Sequence, residues 1–168
     1  MTEQLVDFFI QHLGGNMATE GIVFLVSMLP ILELRGGILA GYLLNLPLTE
    51  SFLIAFVGNI LPIPFILILI NAIFRWLKKT PLRKLVDWIE RKTLSKKDQI
   101  EKYGYLGLLL FVGVPLPGTG AWTGALLSCL LHMKKGRSFI AILLGVLLAG
   151  LIVTIFSYGL LASLGIGG

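Results

Sequence analysis

Glu33 and Arg35 stand inside a long apolar run, Gly21 to Gly41, and two glycines, Gly36 and Gly37, follow at once. A charged side chain near a bilayer centre costs roughly 2.5–3.5 kcal/mol on insertion scales, so such residues collect in protein interiors or wet cavities, where they serve function. An arginine stays charged under ordinary conditions and can clamp a phosphate or carboxylate through paired N–H donors. A glutamate beside it could neutralise it, carry a proton or meet a cation. Pro30, three residues before the glutamate, lacks a backbone donor and breaks or kinks a helix. Irregular backbone at membrane depth is tolerated where it lines a cavity or is buried in protein. Residues two apart on an α-helix point about 200° apart, whereas on an extended segment they share a side. The pattern predicts an unwound tip with Glu33 and Arg35 facing one cavity. The structural alternative is a buried ion pair that fixes the tip.

A second interruption lies at Pro115-Leu-Pro117-Gly118-Thr119-Gly120, followed by Trp122 and Thr123. It is neutral. Its glycines allow close backbone approach, and backbone amides at the start of a half-helix can hold an anion. Thr119 and Thr123 add hydroxyls and Trp122 an aromatic wall; tight packing alone is the structural alternative. Asn59 can face a cavity, while Asn71 reads as an interfacial residue. The spacings Gly37-xxx-Gly41 and Gly120-xxx-Gly124 read as helix contacts.

The elements that must position these residues are membrane helices. The chain has 168 residues, of which 56% are hydrophobic and 14% charged, far more apolar than a soluble domain. The reading is an all-α integral membrane fold in one domain, residues 1–168. Four apolar stretches stand out, about 17–44, 52–74, 104–133 and 138–162. The second and fourth are long enough to span once. The first and third are longer and interrupted, so each crosses as a broken helix or returns as a re-entrant hairpin.

Basic residues help to choose. Of the 14 Lys and Arg residues, all but Arg35 lie in 75–103 or 134–137. The positive-inside rule puts both clusters on the cytoplasmic side, which makes 104–133 a re-entrant hairpin. By analogy 17–44 re-enters from the outer side, and both termini are external. A displacement of 87 residues sets Pro30 on Pro117, Gly37 on Gly124, Phe52 on Phe139 and Gly58 on Gly145. The expectation is an inverted repeat, 17–74 and 104–162, in which each half is a re-entrant hairpin plus a transmembrane helix. That is a transporter architecture with its site near the midplane; the structural alternative is a bundle of kinked helices. The linker 75–103 reads as a cytoplasmic amphipathic basic helix attracted by anionic lipids, with Thr80-Pro81 at its start and a second start at Ser95-Lys-Lys-Asp98. Residues 1–13 suggest a surface helix outside. The first residues lack a basic region, so no cleaved signal peptide is expected.

Several classes are disfavoured. Cys129 is the one cysteine and cannot form an internal disulfide. His12 and His132 stand alone and read as interfacial residues. The sequence carries no His/Cys metal constellation, no Gly-x-Ser-x-Gly elbow and no P-loop. The expectation is therefore not an enzyme, with no cofactor or metal. The basic linker lacks the signatures of a nucleic-acid module.

Three segments together carry a resemblance: Pro30-Ile-Leu-Glu33-Leu-Arg35-Gly36-Gly37, Gly58-Asn59 before Pro62 and Pro64, and Val114-Pro115-Leu-Pro117-Gly118-Thr119-Gly120-Ala-Trp122-Thr-Gly124. On them the chain resembles the putative small multi-drug export protein family over roughly 20–160. More loosely it is similar to the DedA-like group, which has paired re-entrant hairpins and moves polyprenyl phosphates or other lipids. It departs from that group in carrying Trp122 and no charge in the second tip. The family's name implies drug export. The reading is an inner-membrane secondary transporter of a bacterium or archaeon, a homodimer in contact with membrane lipids, with an amphipathic or lipophilic substrate. The charged pair beside broken backbone in an inverted repeat points to alternating access around Glu33, Arg35 and the 115–124 tip, with proton coupling through Glu33. The candidate binding residues are Glu33, Arg35, Gly36, Gly37, Asn59, Pro115, Pro117, Gly118, Thr119, Gly120, Trp122 and Thr123. A flippase for an anionic lipid and a non-transporting membrane scaffold are the rival readings.

Overall fold

The computed structural model describes residues 18–116 and 118–156, and its elements are all helices. In order they are α1 Thr19–Met28, α2 Glu33–Leu43, α3 Leu48–Ile60, α4 Ile63–Leu77, α5 Arg83–Leu94, α6 Asp98–Gly113, α7 Ala121–Leu130 and α8 Lys135–Thr154. This agrees with the expected all-α membrane class. The proposed surface helix at 1–13 and the end of the last stretch, 157–162, lie outside the described residues.

Prolines cut the apolar stretches where steric rules require. The residue before a proline is pushed out of the helical region. Leu29, before Pro30, sits at φ −75°, ψ 136° and ends α1. Val114, before Pro115, sits at φ −83°, ψ 117° and ends α6. At 1.5 Å per residue α1, α2 and α7 are each roughly 15 Å long, half a hydrocarbon core. Two runs are long and apolar enough to cross a membrane, Leu48–Leu77 and Lys135–Thr154. The first was expected as one uninterrupted helix over 52–74 but breaks at Leu61-Pro62, because Pro62 has no N–H to give the Gly58 carbonyl. Along α8 the residues Ile140, Leu144, Leu147, Leu151 and Ile155 form an exposed apolar stripe. In water that face would be an aggregation liability; hydrocarbon accommodates it.

The chain divides into two compact units, one built from residues up to Pro62 with those from Val146 on, the other Ile63–Gly145. In the first, α1, α2 and α3 pack pairwise and meet at Ser27. A Cβ added to Gly37 would collide with Ser27 Oγ and lie 2.9 Å from Ala55 Cβ, and one added to Gly58 would lie 3.1 Å from Ser27 Cβ and 2.7 Å from the Phe24 carbonyl. Ser27 Oγ itself donates to the Val23 carbonyl at 2.6 Å, so this buried hydroxyl is satisfied within its own helix. In the second unit Val112 holds the same place. A Cβ on Gly124 would lie 2.6 Å from Val112 Cγ2, and one on Gly145 would lie 2.7 Å from both Val112 Cβ and the Leu109 carbonyl. Helices α4 and α5 both pack on α7 in this unit.

Backbone bonds recur between the units at 87 residues. At the end of α2, Leu44, Asn45 and Leu46 donate to the carbonyls of Ala40, Tyr42 and Gly41; at the end of α7, Leu131, His132 and Met133 donate to those of Leu127, Cys129 and Ser128. Asn45 (φ 57°) and His132 (φ 54°) are both left-handed, in the position after a helix that glycine or asparagine usually fills. The next helices open alike, with Ser51 and Ser138 donating to the Pro47 and Lys134 carbonyls at 2.9 Å. Before the tips the correspondence is 85 residues instead. Leu29-Pro30 matches Val114-Pro115, and buried Val23, Val26 and Ser27 match buried Leu108, Phe111 and Val112. Leu29-Pro30 and Val114-Pro115 thus end α1 and α6 alike; Pro117, which the spacing of 87 sets against Pro30, lies outside the described residues.

In the linker, Thr80 Oγ1 accepts from Leu82 N–H at 3.3 Å, as a capping residue should, although regular helix begins only at Arg83. The expected second start is found at Asp98, while Ser95 Oγ donates to the Lys92 carbonyl at 2.9 Å and closes α5. Gly104, at φ 57° and ψ −128°, then breaks α6.

Candidate functional site

The first tip is Leu29–Leu32, between α1 and α2. Glu33 N–H donates to the Leu29 carbonyl at 2.8 Å and Gly36 N–H to that of Leu32 at 2.9 Å. Helical bonding thus resumes at once after Pro30, and Glu33 and Arg35 fall on the first turn of α2. This corrects the expectation that both sit on extended backbone sharing one side. Their surroundings differ: Glu33 is 7% exposed and Arg35 half-buried. The two charges still interact.

Glu33 itself is left-handed, at φ 51°. That conformation costs an L-residue other than glycine about 1–2 kcal/mol. Strain of this kind is kept where the side chain is needed for something else. In the second unit, 87 residues on, stands Gly120, whose backbone at φ 154° and ψ −174° is extended and differs from that of Glu33.

Asn59 belongs to the same tip. Gly41 faces Ser51 and Gly37 faces Ala55 across the antiparallel α2 and α3. One further turn of that register sets Glu33 level with Asn59. Asn59 is 2% exposed, and its Oδ1 has no hydrogen-bond partner among the described residues. A buried acceptor without a partner costs about 1–3 kcal/mol, so it too is held against local stability. Gly36 and Gly37 serve packing here, against Leu32 and Ser27.

The second tip carries the other predicted residues. Thr119 Oγ1 lies 2.9 and 2.8 Å from the Val114 and Leu116 carbonyls and accepts from Leu116 N–H at 3.2 Å. Its hydroxyl is thereby engaged in closing the tip. The Lys96 ammonium donates to the Gly118 carbonyl. Gly118 and Thr123 share a hollow of about 240 Å³ with Trp88, Lys92 and Lys96. Pro115 and Trp122 are partly exposed and Gly120 is buried; Pro117 lies outside the described residues. Glu33, Arg35, Gly36, Gly37 and Asn59 thus belong to the first unit, and the remaining described candidates to the second.

Sequence reasoning missed one polar cavity. Asn71, Arg75, Lys78, Glu90, His132 and Lys135 line a space of about 530 Å³ in the second unit. Arg75, Lys78 and Lys135 had been read only for topology, and His132 and Asn71 only as interfacial. The available signal was that all the cations concerned stand at the ends of apolar stretches with one charge sign. Among the described residues no cluster of metal-ligating side chains occurs.

Over residues 33–152 the chain matches the family described as Putative small multi-drug export protein. The chain belongs to that family. The match begins at Glu33, directly after the first tip, and takes in the second tip. Membership makes this a membrane protein and gives it the coarse role that the family's description names, small multi-drug export. Neither a curated protein nor a solved structure gives a significant match.

Proposed function

We propose that this member of the small multi-drug export family is a secondary transporter that exports a lipophilic cation in exchange for a proton at the Glu33–Arg35 tip. The reading is carried by one observation. A glutamate is buried at a broken helix tip, strained where glycine would be at ease, and level with an unpartnered buried asparagine. Ionised, Glu33 balances Arg35 and attracts a cation. Protonated, it does neither, and the Arg35 charge then repels a cationic substrate. Proton and substrate therefore exclude one another at a single carboxylate, which is the requirement for antiport.

Alternating access needs two halves of opposite orientation. Two half-length hairpins with the same glycine packing, the same helix-ending bonds and basic residues concentrated beside one of them support an inverted repeat. In proteoliposomes loaded with ethidium as a lipophilic cation, an imposed pH gradient should drive dye movement well above that of protein-free vesicles and reverse with the gradient. Dye flux that ignores the gradient would overturn proton exchange; no flux above the vesicle background for any of several lipophilic cations would overturn the substrate class.

A further inference from the structure

The 530 Å³ cavity is built from residues of the second unit alone and has its own electrostatic logic. Lys78 is matched by Glu90 at 2.6 Å, so those two charges cancel. Arg75 and Lys135 have no ion-pair partner among the described residues. Arg75 and Lys135 thus line the open cavity as exposed cations without a counter-charge among the described residues, with exposed His132 and Asn71 beside them. Lys135 also begins the 20-residue helix α8, whose first N–H groups add positive potential. Donors from α4, from the α7–α8 junction and from the start of α8 converge on one space.

Size and wall identify the ligand class. The volume falls within the roughly 300–1,000 Å³ of small-molecule sites. One wall is Ile68 and Ala72, both exposed and continuous with the apolar outer face of α4 at Phe65, Leu69 and Ile73. An open cationic hollow beside an apolar helix face suits a ligand with an anionic head and hydrocarbon tails. Guanidinium and ammonium together match a phosphate ester. The positions 87 residues before His132 and Lys135 are Asn45 and Leu48, so this pair of basic groups has no counterpart there. The cavity flanks the basic clusters, and anionic lipids are concentrated in the cytoplasmic leaflet.

We infer that this cavity binds a phosphate ester and that the occupant is an anionic phospholipid, its head between Arg75 and Lys135 and its chains along α4. This inference does not depend on the transport reading. The test uses detergent-purified full-length protein, with phosphatidylglycerol, phosphatidylcholine and inorganic phosphate added in turn while thermal unfolding is followed. A ligand that binds the folded state raises its apparent stability. Phosphatidylglycerol should raise the unfolding temperature where phosphatidylcholine and inorganic phosphate do not. Its apparent affinity should fall at least tenfold in Arg75→Gln/Lys135→Gln and stay unchanged in Lys84→Gln/Arg91→Gln, which removes two exposed charges of α5 outside the cavity. Arg75→Lys, which keeps the charge, should retain most of the affinity and guards against a folding defect. Equal loss in both double variants, or loss in neither, would overturn the site in favour of diffuse attraction to a basic surface. Stabilisation by inorganic phosphate as strong as by the lipid, and lost with Arg75 and Lys135, would uphold the phosphate site and overturn its lipid occupant.

Discussion

Gly37→Val is expected to destabilise the first unit by at least about 3 kcal/mol, the upper range for overpacking a well-packed core. The added Cβ alone would collide with Ser27 Oγ and stand 2.9 Å from Ala55 Cβ. Neither neighbour can retreat: Ser27 lies where α1, α2 and α3 meet, and both Ser27 and Ala55 are fully buried. Thermal unfolding of detergent-purified protein would register the loss as a fall of several degrees or as failure to purify. The milder Gly37→Ala should be partly rescued by Ser27→Gly, which removes the colliding atoms, and that non-additivity is the signature of direct contact. Gly136→Ala is the control. Nothing lies within 4 Å of its added Cβ, so alanine's better helix propensity should leave stability unchanged or slightly raised.

Glu33→Gln is expected to abolish movement of the lipophilic cation driven by a pH gradient while leaving most of the fold intact. The substitution keeps the size and the left-handed backbone of the residue but removes the charge and the titration. Arg35 then loses its counter-charge. Breaking a fully buried pair costs about 3–5 kcal/mol, and because Arg35 is only half-buried the stability loss should fall well below that. Glu33→Asp retains a carboxylate and should retain some flux. The double variant Glu33→Gln/Arg35→Gln should regain the stability lost in the single one yet stay inactive. Stability and transport measured on the same preparations separate the two roles. Full gradient-driven flux in Glu33→Gln would show that Glu33 only anchors the tip.

The sequence made the helical class and the two broken stretches legible, since hydrophobic runs and proline sterics are local properties; the start read at Ser95-Lys-Lys-Asp98 falls later, because Ser95 closes α5 and α6 begins at Asp98. The position of Glu33 was legible only in part. Pro30 announces a break, but it does not say where helix resumes, and here Glu33 and Gly36 bond at once to the Leu29 and Leu32 carbonyls four residues back. The break at Pro62 was written in the chain and was outweighed by the apolar length around it. The spacing of 87 picks out Pro30 and Pro117, whereas the helix ends at Leu29 and Val114 and the glycine contacts with Ser27 and Val112 recur at 85 before the tips, a spacing that only packing reveals. The cationic cavity was illegible because Arg75, His132 and Lys135 are brought together by the packing of α4 on α7, which no local pattern records.

The account depends most on the two halves being inserted with opposite orientation, and the structure supplies equivalent positions for testing it. Pro47 and Lys134 are both exposed and stand 87 residues apart, each accepting a backbone bond from the serine four residues on. In a Cys129→Ala background, Pro47→Cys and Lys134→Cys would be probed in intact cells with a membrane-impermeant thiol reagent, before and after permeabilisation. The expected result is labelling of the Pro47→Cys variant in intact cells and of the Lys134→Cys variant only after permeabilisation. Labelling of both from the same side would contradict the inverted repeat, and with it alternating access at the Glu33–Arg35 tip.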